Sequence, residues 1–119
     1  MTDEQQKYFL CGDIGGTKTA LTVYSVEDGI YQPIEIETYP SHAYASLEDI
    51  LKSYLARMKL TIEMACFGVA GPVLKERARV TNLPWILESQ SVSLSVGGAP
   101  VSLLNDLLVI ANAIPFLTE

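Results

Sequence analysis

The chain has 119 residues, 49% of them hydrophobic, and a formal net charge of −6. That length and apolar content make one domain with its own core and exclude two ordinary ones. The negative charge argues against nucleic acid or an anionic membrane as partner, since both demand clustered Lys and Arg; no apolar run is long enough to cross a bilayer, and the polar start lacks the regions of a signal peptide, so a cytoplasmic protein is expected.

Residues 1–7 are polar and without periodicity, which predicts a flexible tail, with the ordered domain covering 8–119. A strand over Tyr8 to Asp13 enters the stretch Gly12-Asp13-Ile14-Gly15-Gly16-Thr17-Lys18-Thr19, and a second over Thr19 to Val26 leaves it. Two adjacent glycines between strands permit positive φ and bare several N–H groups, the makings of an anion nest. Asp13 at the strand end can hold a hydrated Mg²⁺, while Thr17 and Lys18 offer a hydroxyl and a positive charge to phosphoryl oxygens. The stretch is not a P-loop, because Thr17 stands where glycine must precede the Lys-Thr pair and a strand follows in place of a helix. The spacing of Gly12, Gly15 and Gly16 also fails the dinucleotide fingerprint. A plain glycine turn is the alternative reading. The Asp-x-Gly-Gly-Thr pattern resembles the first phosphate loop of the sugar-kinase, heat-shock-protein and actin superfamily.

Glu27-Asp28-Gly29 is a hairpin turn into a third strand, Ile30 to Tyr39. There Ile34, Ile36 and Thr38 alternate with Glu35, Glu37 and Tyr39, which predicts one buried face, one wet face and an edge position. His42 lies in a polar stretch and reads as a solvated loop residue. Ser46 opens a helix with Asp49 three residues on, and Leu47, Ile50, Leu51, Tyr54, Leu55 and Met58 give it one apolar face. Lys52, Arg57 and Lys59 crowd its C-terminal half, which suits the helix dipole. Ile62 to Ala70 is almost continuously apolar or small, as in a strand covered on both faces, and ends in Gly71-Pro72. Val73 to Asn82 is more polar and suits a peripheral hairpin with the end of that strand. Ile86 to Val96 reads as a short helix, with a strand as the alternative. Pro100 to Leu104 is the last strand, and a helix over 107–114 follows. Cys11 and Cys66 fall in apolar runs without neighbouring His or Cys, so they read as buried thiols.

Short hairpin links make the first three strands antiparallel neighbours, and helical crossovers set the later strands parallel to the first. The fold class that satisfies both is α/β, a five-stranded mixed sheet in the order 3-2-1-4-5 with flanking helices. Its direction of winding changes between the first and fourth strands, leaving a crevice at their carboxyl ends. Asp13 and Asp106 end the first and fifth strands at that edge. Asp106, where strand meets helix, suits a general base, and Asn105 can orient a second hydroxyl. A helix cap is the plainer reading of the pair.

Four ordered motifs, Gly-Asp-Ile-Gly-Gly-Thr-Lys-Thr at 12–19, Val-Ala-Gly-Pro-Val at 69–73, Thr-Asn-Leu-Pro-Trp at 81–85 and Leu-Asn-Asp-Leu at 104–107, resemble the N-terminal lobe of the bacterial glucokinases and related sugar kinases. The resemblance implies a ribonuclease H-like lobe of the actin-like ATPase superfamily. It implies ATP and Mg²⁺, with Gly15, Gly16, Thr17 and Lys18 on the ATP phosphates, and glucose or another hexose as acceptor. Asp106 is then the base on the sugar 6-hydroxyl and Asn105 a ring-hydroxyl ligand, with Gly71 and Pro72 shaping the sugar pocket and Asn82 close to it; a strand-ending turn and a loop are the plain alternatives there. Trp85 reads as a core anchor. The family's second lobe, with the adenosine pocket and further sugar ligands, has no counterpart here, so the chain alone is expected to be inactive, and apolar surface left open would favour self-association into a homodimer. A non-catalytic sugar-binding or regulatory module of the same fold is the alternative function.

Overall fold

The computed structural model describes residues 6–105. In chain order they form β1 (Lys7–Ile14), β2 (Lys18–Glu27), β3 (Ile30–Pro40), a 3-10 turn at Ser41–Ala43, α1 (Leu47–Ala56), β4 (Ile62–Val69), β5 (Val73–Leu74), β6 (Arg77–Arg79), β7 (Ile86–Glu88), α2 (Ser89–Ser95) and β8 (Val101–Leu104). β1 already includes Lys7, and the Tyr8 hydroxyl donates to the Gln6 side chain at 2.9 Å, so the expected tail over 1–7 gives way to structure before its end. Asp106 and the expected helix over 107–114 lie outside the described residues.

The main sheet runs β3-β2-β1-β4-β8, the expected order. β1, β2 and β3 are antiparallel neighbours, and β4 and β8 continue the sheet in parallel. Local chemistry accounts for the links. Asp28 and Gly29, at φ 55° and 77°, close the β2–β3 hairpin as a two-residue turn with both central residues left-handed. The Ser46 side chain accepts the Asp49 N–H at 3.2 Å and starts α1, which returns the chain to β4.

One face of the sheet carries the core. Leu10, Ile14, Leu21, Val23, Ala65, Phe67 and Val69 pack with Leu47, Ile50, Leu51 and Tyr54 of α1 and Val92 of α2. Trp85 joins them, 3% exposed, as a core anchor. The face expected for β3 is inverted. Ile36 is 65% and Ile34 44% exposed, whereas Tyr39 is buried. The register pairs Thr19 with Tyr39, Leu21 with Glu37 and Val23 with Glu35, which puts all three β3 residues on the core side. Two aromatic rings decide this: Tyr39 meets Tyr54 edge-on at 6.3 Å, and the Tyr54 hydroxyl donates to the Glu35 carbonyl at 2.8 Å. The two carboxylates tolerate the position because β3 is an edge, where Arg57 reaches Glu37 at 2.9 Å. Arg57 therefore serves β3, and no basic residue sits in the last turn of α1.

On the opposite face Cys11 and Cys66 sit side by side in the β1–β4 register and are buried, with Tyr24 and Leu104 against them. Burial, with the neighbouring Cys66 adding to it, pushes the Cys11 thiol up to about 12. β5, β6 and β7 form a separate antiparallel sheet in that order; the stretch from Val73 pairs within itself and with β7, and it also returns to the end of the preceding strand, where the Arg79 N–H donates to the Pro72 carbonyl at 3.2 Å and the Thr81 N–H to the Ala70 carbonyl. Ile86 to Val96 divides between its two readings. Leu87 opposite buried Ala78 holds β7 extended, and the buried Val92 turns α2 onto the core.

Candidate active site

The carboxyl edge of the sheet gathers the motifs. Asp13 pairs with Gly68, and Gly68 with Leu104, so one row crosses β1, β4 and β8, and Asn105 is the next residue along. Two strand spacings separate β1 from β8, roughly 10 Å. Asp13 and Asn105 are both exposed at this edge. Asp106 lies outside the described residues.

Beyond β1 the backbone turns through Gly15-Gly16-Thr17-Lys18. The Gly15 N–H donates to the Lys18 carbonyl at 2.9 Å and closes the turn. Neither glycine has positive φ, contrary to the reason expected for them; among the described glycines that conformation falls at Gly29, Gly71, Gly97 and Gly98. Space explains Gly16 instead. A Cβ there would stand 2.7 Å from the Thr81 carbonyl oxygen and 3.4 Å from the Asn82 Cβ, so only glycine lets the two segments meet. Among the described residues, the Gly16 and Thr17 N–H groups have no hydrogen-bond partner. Thr17 and Lys18 are exposed beside them.

Backbone hydrogen bonds tie the second segment to the first. The Ala70 N–H donates to the Ile14 carbonyl at 2.9 Å, and the Thr81 N–H donates to the Ala70 carbonyl at 2.8 Å. Gly71 lies under Arg79, whose carbonyl oxygen would collide with any Cβ at position 71. Asn82 has φ 69°, a left-handed conformation that asparagine accepts better than most residues. The Val80 N–H donates to the Trp85 carbonyl at 3.3 Å, and the Trp85 indole donates to the Tyr44 carbonyl at 3.1 Å, fixing the loop to the core. Gly15, Gly16 and Asn82 therefore lie together, with Gly71 and Pro72 on the adjoining strand end. Asn105 stands on the far side of β4 from the glycine turn.

One residue of the site, Ser41, lies outside every sequence motif, and its partner Thr19, the last residue of the 12–19 motif, was given no role there. Ser41 and Thr19 are both fully buried, and their hydroxyls meet at 2.8 Å. The Ser41 hydroxyl also donates to the Gly15 carbonyl at 2.7 Å, and its N–H donates to the Thr17 carbonyl at 2.9 Å. No local signal marks Ser41, since its side-chain partners lie 22 and 26 residues earlier.

The donor set suits a nucleotide phosphate: N–H groups without a partner among the described residues, a hydroxyl and an ammonium beside one exposed carboxylate. Among the described residues no group of three or more His, Cys, Asp or Glu could hold a metal ion by itself. Mg²⁺ held between phosphates and a single carboxylate through water needs no such group.

A mixed five-stranded sheet in this order, with a glycine turn and a strand-end loop meeting at its carboxyl edge, defines an α/β lobe with its candidate ligand site at the strand ends. The sequence model of the glucokinase family matches residues 10–119, and the chain belongs to that family. The glucokinase of Photorhabdus laumondii is 34% identical over 94% of this chain and 34% of its own length. The crystal structure of a glucokinase from an Antarctic psychrotroph superposes with a TM-score of 0.78 at 26% identity, over 92% of this chain and 35% of that one. That of a ROK family glucokinase from Streptomyces griseus, in complex with glucose and AMPPNP, gives 0.61 at 27% identity, over 87% and 35%. The chain thus spans about a third of the length of the relatives it matches.

Proposed function

We propose that this chain is the N-terminal lobe of an ATP-dependent glucokinase, a cytoplasmic enzyme that transfers the γ-phosphoryl of MgATP to the 6-hydroxyl of glucose. The observation that carries the reading is the approach of Gly16 to Thr81 and Asn82, because a turn suited to phosphate and a loop suited to a sugar then adjoin at one edge. Glucose and AMPPNP in the Streptomyces griseus relative support the two substrates. Gly15, Gly16, Thr17 and Lys18 take the phosphates, and Asp13 orients the water of a bound Mg²⁺. Gly71, Pro72, Asn82 and Asn105 line the sugar side, and Asp106 accepts the proton of the 6-hydroxyl as that oxygen attacks. A second lobe supplies the adenosine pocket and the remaining sugar ligands, so the chain alone is inactive; self-association as a homodimer belongs to the same reading.

The test is a coupled assay of glucose phosphorylation by the protein that the whole gene encodes, with Asp106→Asn alongside. The expected result is turnover that Asp106→Asn reduces roughly a thousandfold while glucose still binds. Glucose binding without turnover in the unsubstituted protein would favour the non-catalytic sugar-binding module, and turnover that survives Asp106→Asn would remove Asp106 as the base.

A further inference from the structure

The buried hydroxyl pair Thr19–Ser41 touches the glycine turn; Thr19 is the last residue of the 12–19 motif, and Ser41 lies outside every motif that marks the site. A serine hydroxyl carries one proton. In Ser41 that proton is donated to the Gly15 carbonyl at 2.7 Å, so across the 2.8 Å contact with Thr19 it is Thr19 that donates. The chain of protons therefore runs in one direction, from Thr19 through Ser41 to Gly15. The Ser41 N–H meanwhile takes the Thr17 carbonyl at 2.9 Å. One residue thus engages the carbonyl oxygens on both sides of Gly16. Those oxygens repel an anion, and the N–H groups of Gly16 and Thr17 attract one. Holding the former in hydrogen bonds to β3's end fixes the turn with its donors uncommitted among the described residues. Both hydroxyls are fully buried; removing that of Ser41 would strand the Thr19 hydroxyl and the Gly15 carbonyl, and removing that of Thr19 would leave the Ser41 hydroxyl free to turn away from Gly15.

We propose that Ser41 is a positioning residue of the nucleotide phosphate site, with Thr19 as the donor that fixes the direction of its hydroxyl. This rests on the kinase reading above for the identity of the phosphate, and on geometry alone for the role of Ser41. The consequence is selective. The latch touches the phosphate turn and, among the described residues, none of those assigned to the sugar, so its loss weakens MgATP binding and leaves glucose binding alone.

The experiment measures equilibrium binding of MgATP and of glucose, together with turnover, on the whole protein and on Ser41→Ala, Thr19→Val and Thr19→Ser. Ser41→Ala is expected to weaken MgATP binding about tenfold and glucose binding by less than about twofold, since one buried hydrogen bond and its stranded partners are lost. Thr19→Val keeps the shape and removes the donor, so it weakens MgATP binding by a smaller factor, and Thr19→Ser restores it. Should Ser41→Ala fail to fold, the Thr19 pair carries the same comparison. MgATP affinity unchanged in folded Ser41→Ala or Thr19→Val, or glucose affinity lost in equal measure, overturns the proposal. MgATP binding without glucose phosphorylation in the unsubstituted protein refutes the kinase reading alone, and the latch is then judged on the MgATP affinities of the variants.

Discussion

β2 is bracketed by two hairpin turns that do the same local work and differ in everything else. At its far end Asp28-Gly29 has the left-handed backbone that a two-residue hairpin demands, and a Cβ on Gly29 would meet nothing within 4 Å. At its near end Gly15-Gly16-Thr17-Lys18 needs no positive φ, yet Gly16 lies against the Thr81 carbonyl and Gly15 is gripped by Ser41. Glycine serves conformation in one turn and close approach in the other. The open turn needs only its own residues, whereas the crowded one is shaped by β4's end, the 81–85 loop and the end of β3. A loop that must present N–H groups at fixed positions gains from such outside support, because its conformation then does not depend on turn propensity.

The sharpest way to break this comparison is to add one methyl group to each turn. Gly16→Ala pushes the phosphate turn off the Thr81 carbonyl, and glucose phosphorylation by the whole protein is expected to fall roughly a hundredfold, as for a catalytic group displaced by about an ångström. Steady-state kinetics with MgATP as the varied substrate read the loss. Gly29→Ala instead places alanine at φ 77° in open space. Its expected cost is about 1 kcal/mol in a denaturant melt, with kinetics unchanged. Equal effects from the two substitutions would mean that both turns are only turns.

Between the turns the strands should behave as one rigid unit, and the thiols report on it. Cys11, opposite Thr22 of β2, has its thiol raised from 9.0 to about 12 by burial. Because the folded state holds the proton more tightly than the unfolded chain, this contribution to stability is complete below pH 9 and is lost as pH rises from 9 toward 12. The native protein is therefore expected to leave Cys11 and Cys66 unlabelled by a thiol reagent at pH 8, and to label at both in denaturant. Labelling of the native protein at the unfolded rate would show that the sheet between the turns opens.

The smallest effect belongs to the outer hairpin leg. Arg57 meets Glu37 at 2.9 Å with both side chains substantially exposed. Solvent screens such a pair, so Arg57→Ala is expected to cost no more than about 0.5 kcal/mol in the same melt and to leave phosphorylation untouched. A larger loss would show that β3's inverted face depends on the ion pairs as well as on Tyr39 and Tyr54.

Much of this protein is decided by neighbours in sequence. The Asp28-Gly29 turn, the Ser46 cap, the apolar stripe of α1 and the continuous run of β4 each follow from residues within a few positions of one another, and with the rule for parallel crossovers they determine the strand order. The four motifs that mark the candidate site are equally local. What the tertiary structure alone decided is which groups those motifs meet. β3 shows its isoleucines to solvent because the Tyr39 and Tyr54 rings outweigh an apparent alternation. Gly16 must be glycine because Thr81, sixty-five positions later, passes over it, a separation given by the residue numbers themselves. Ser41 serves the phosphate turn only because β3 returns its end to that of β1. Periodicity and turn chemistry act through adjacent bonds and are written in short stretches, whereas a carbonyl brought to 2.7 Å by an independent path of the chain leaves no local trace.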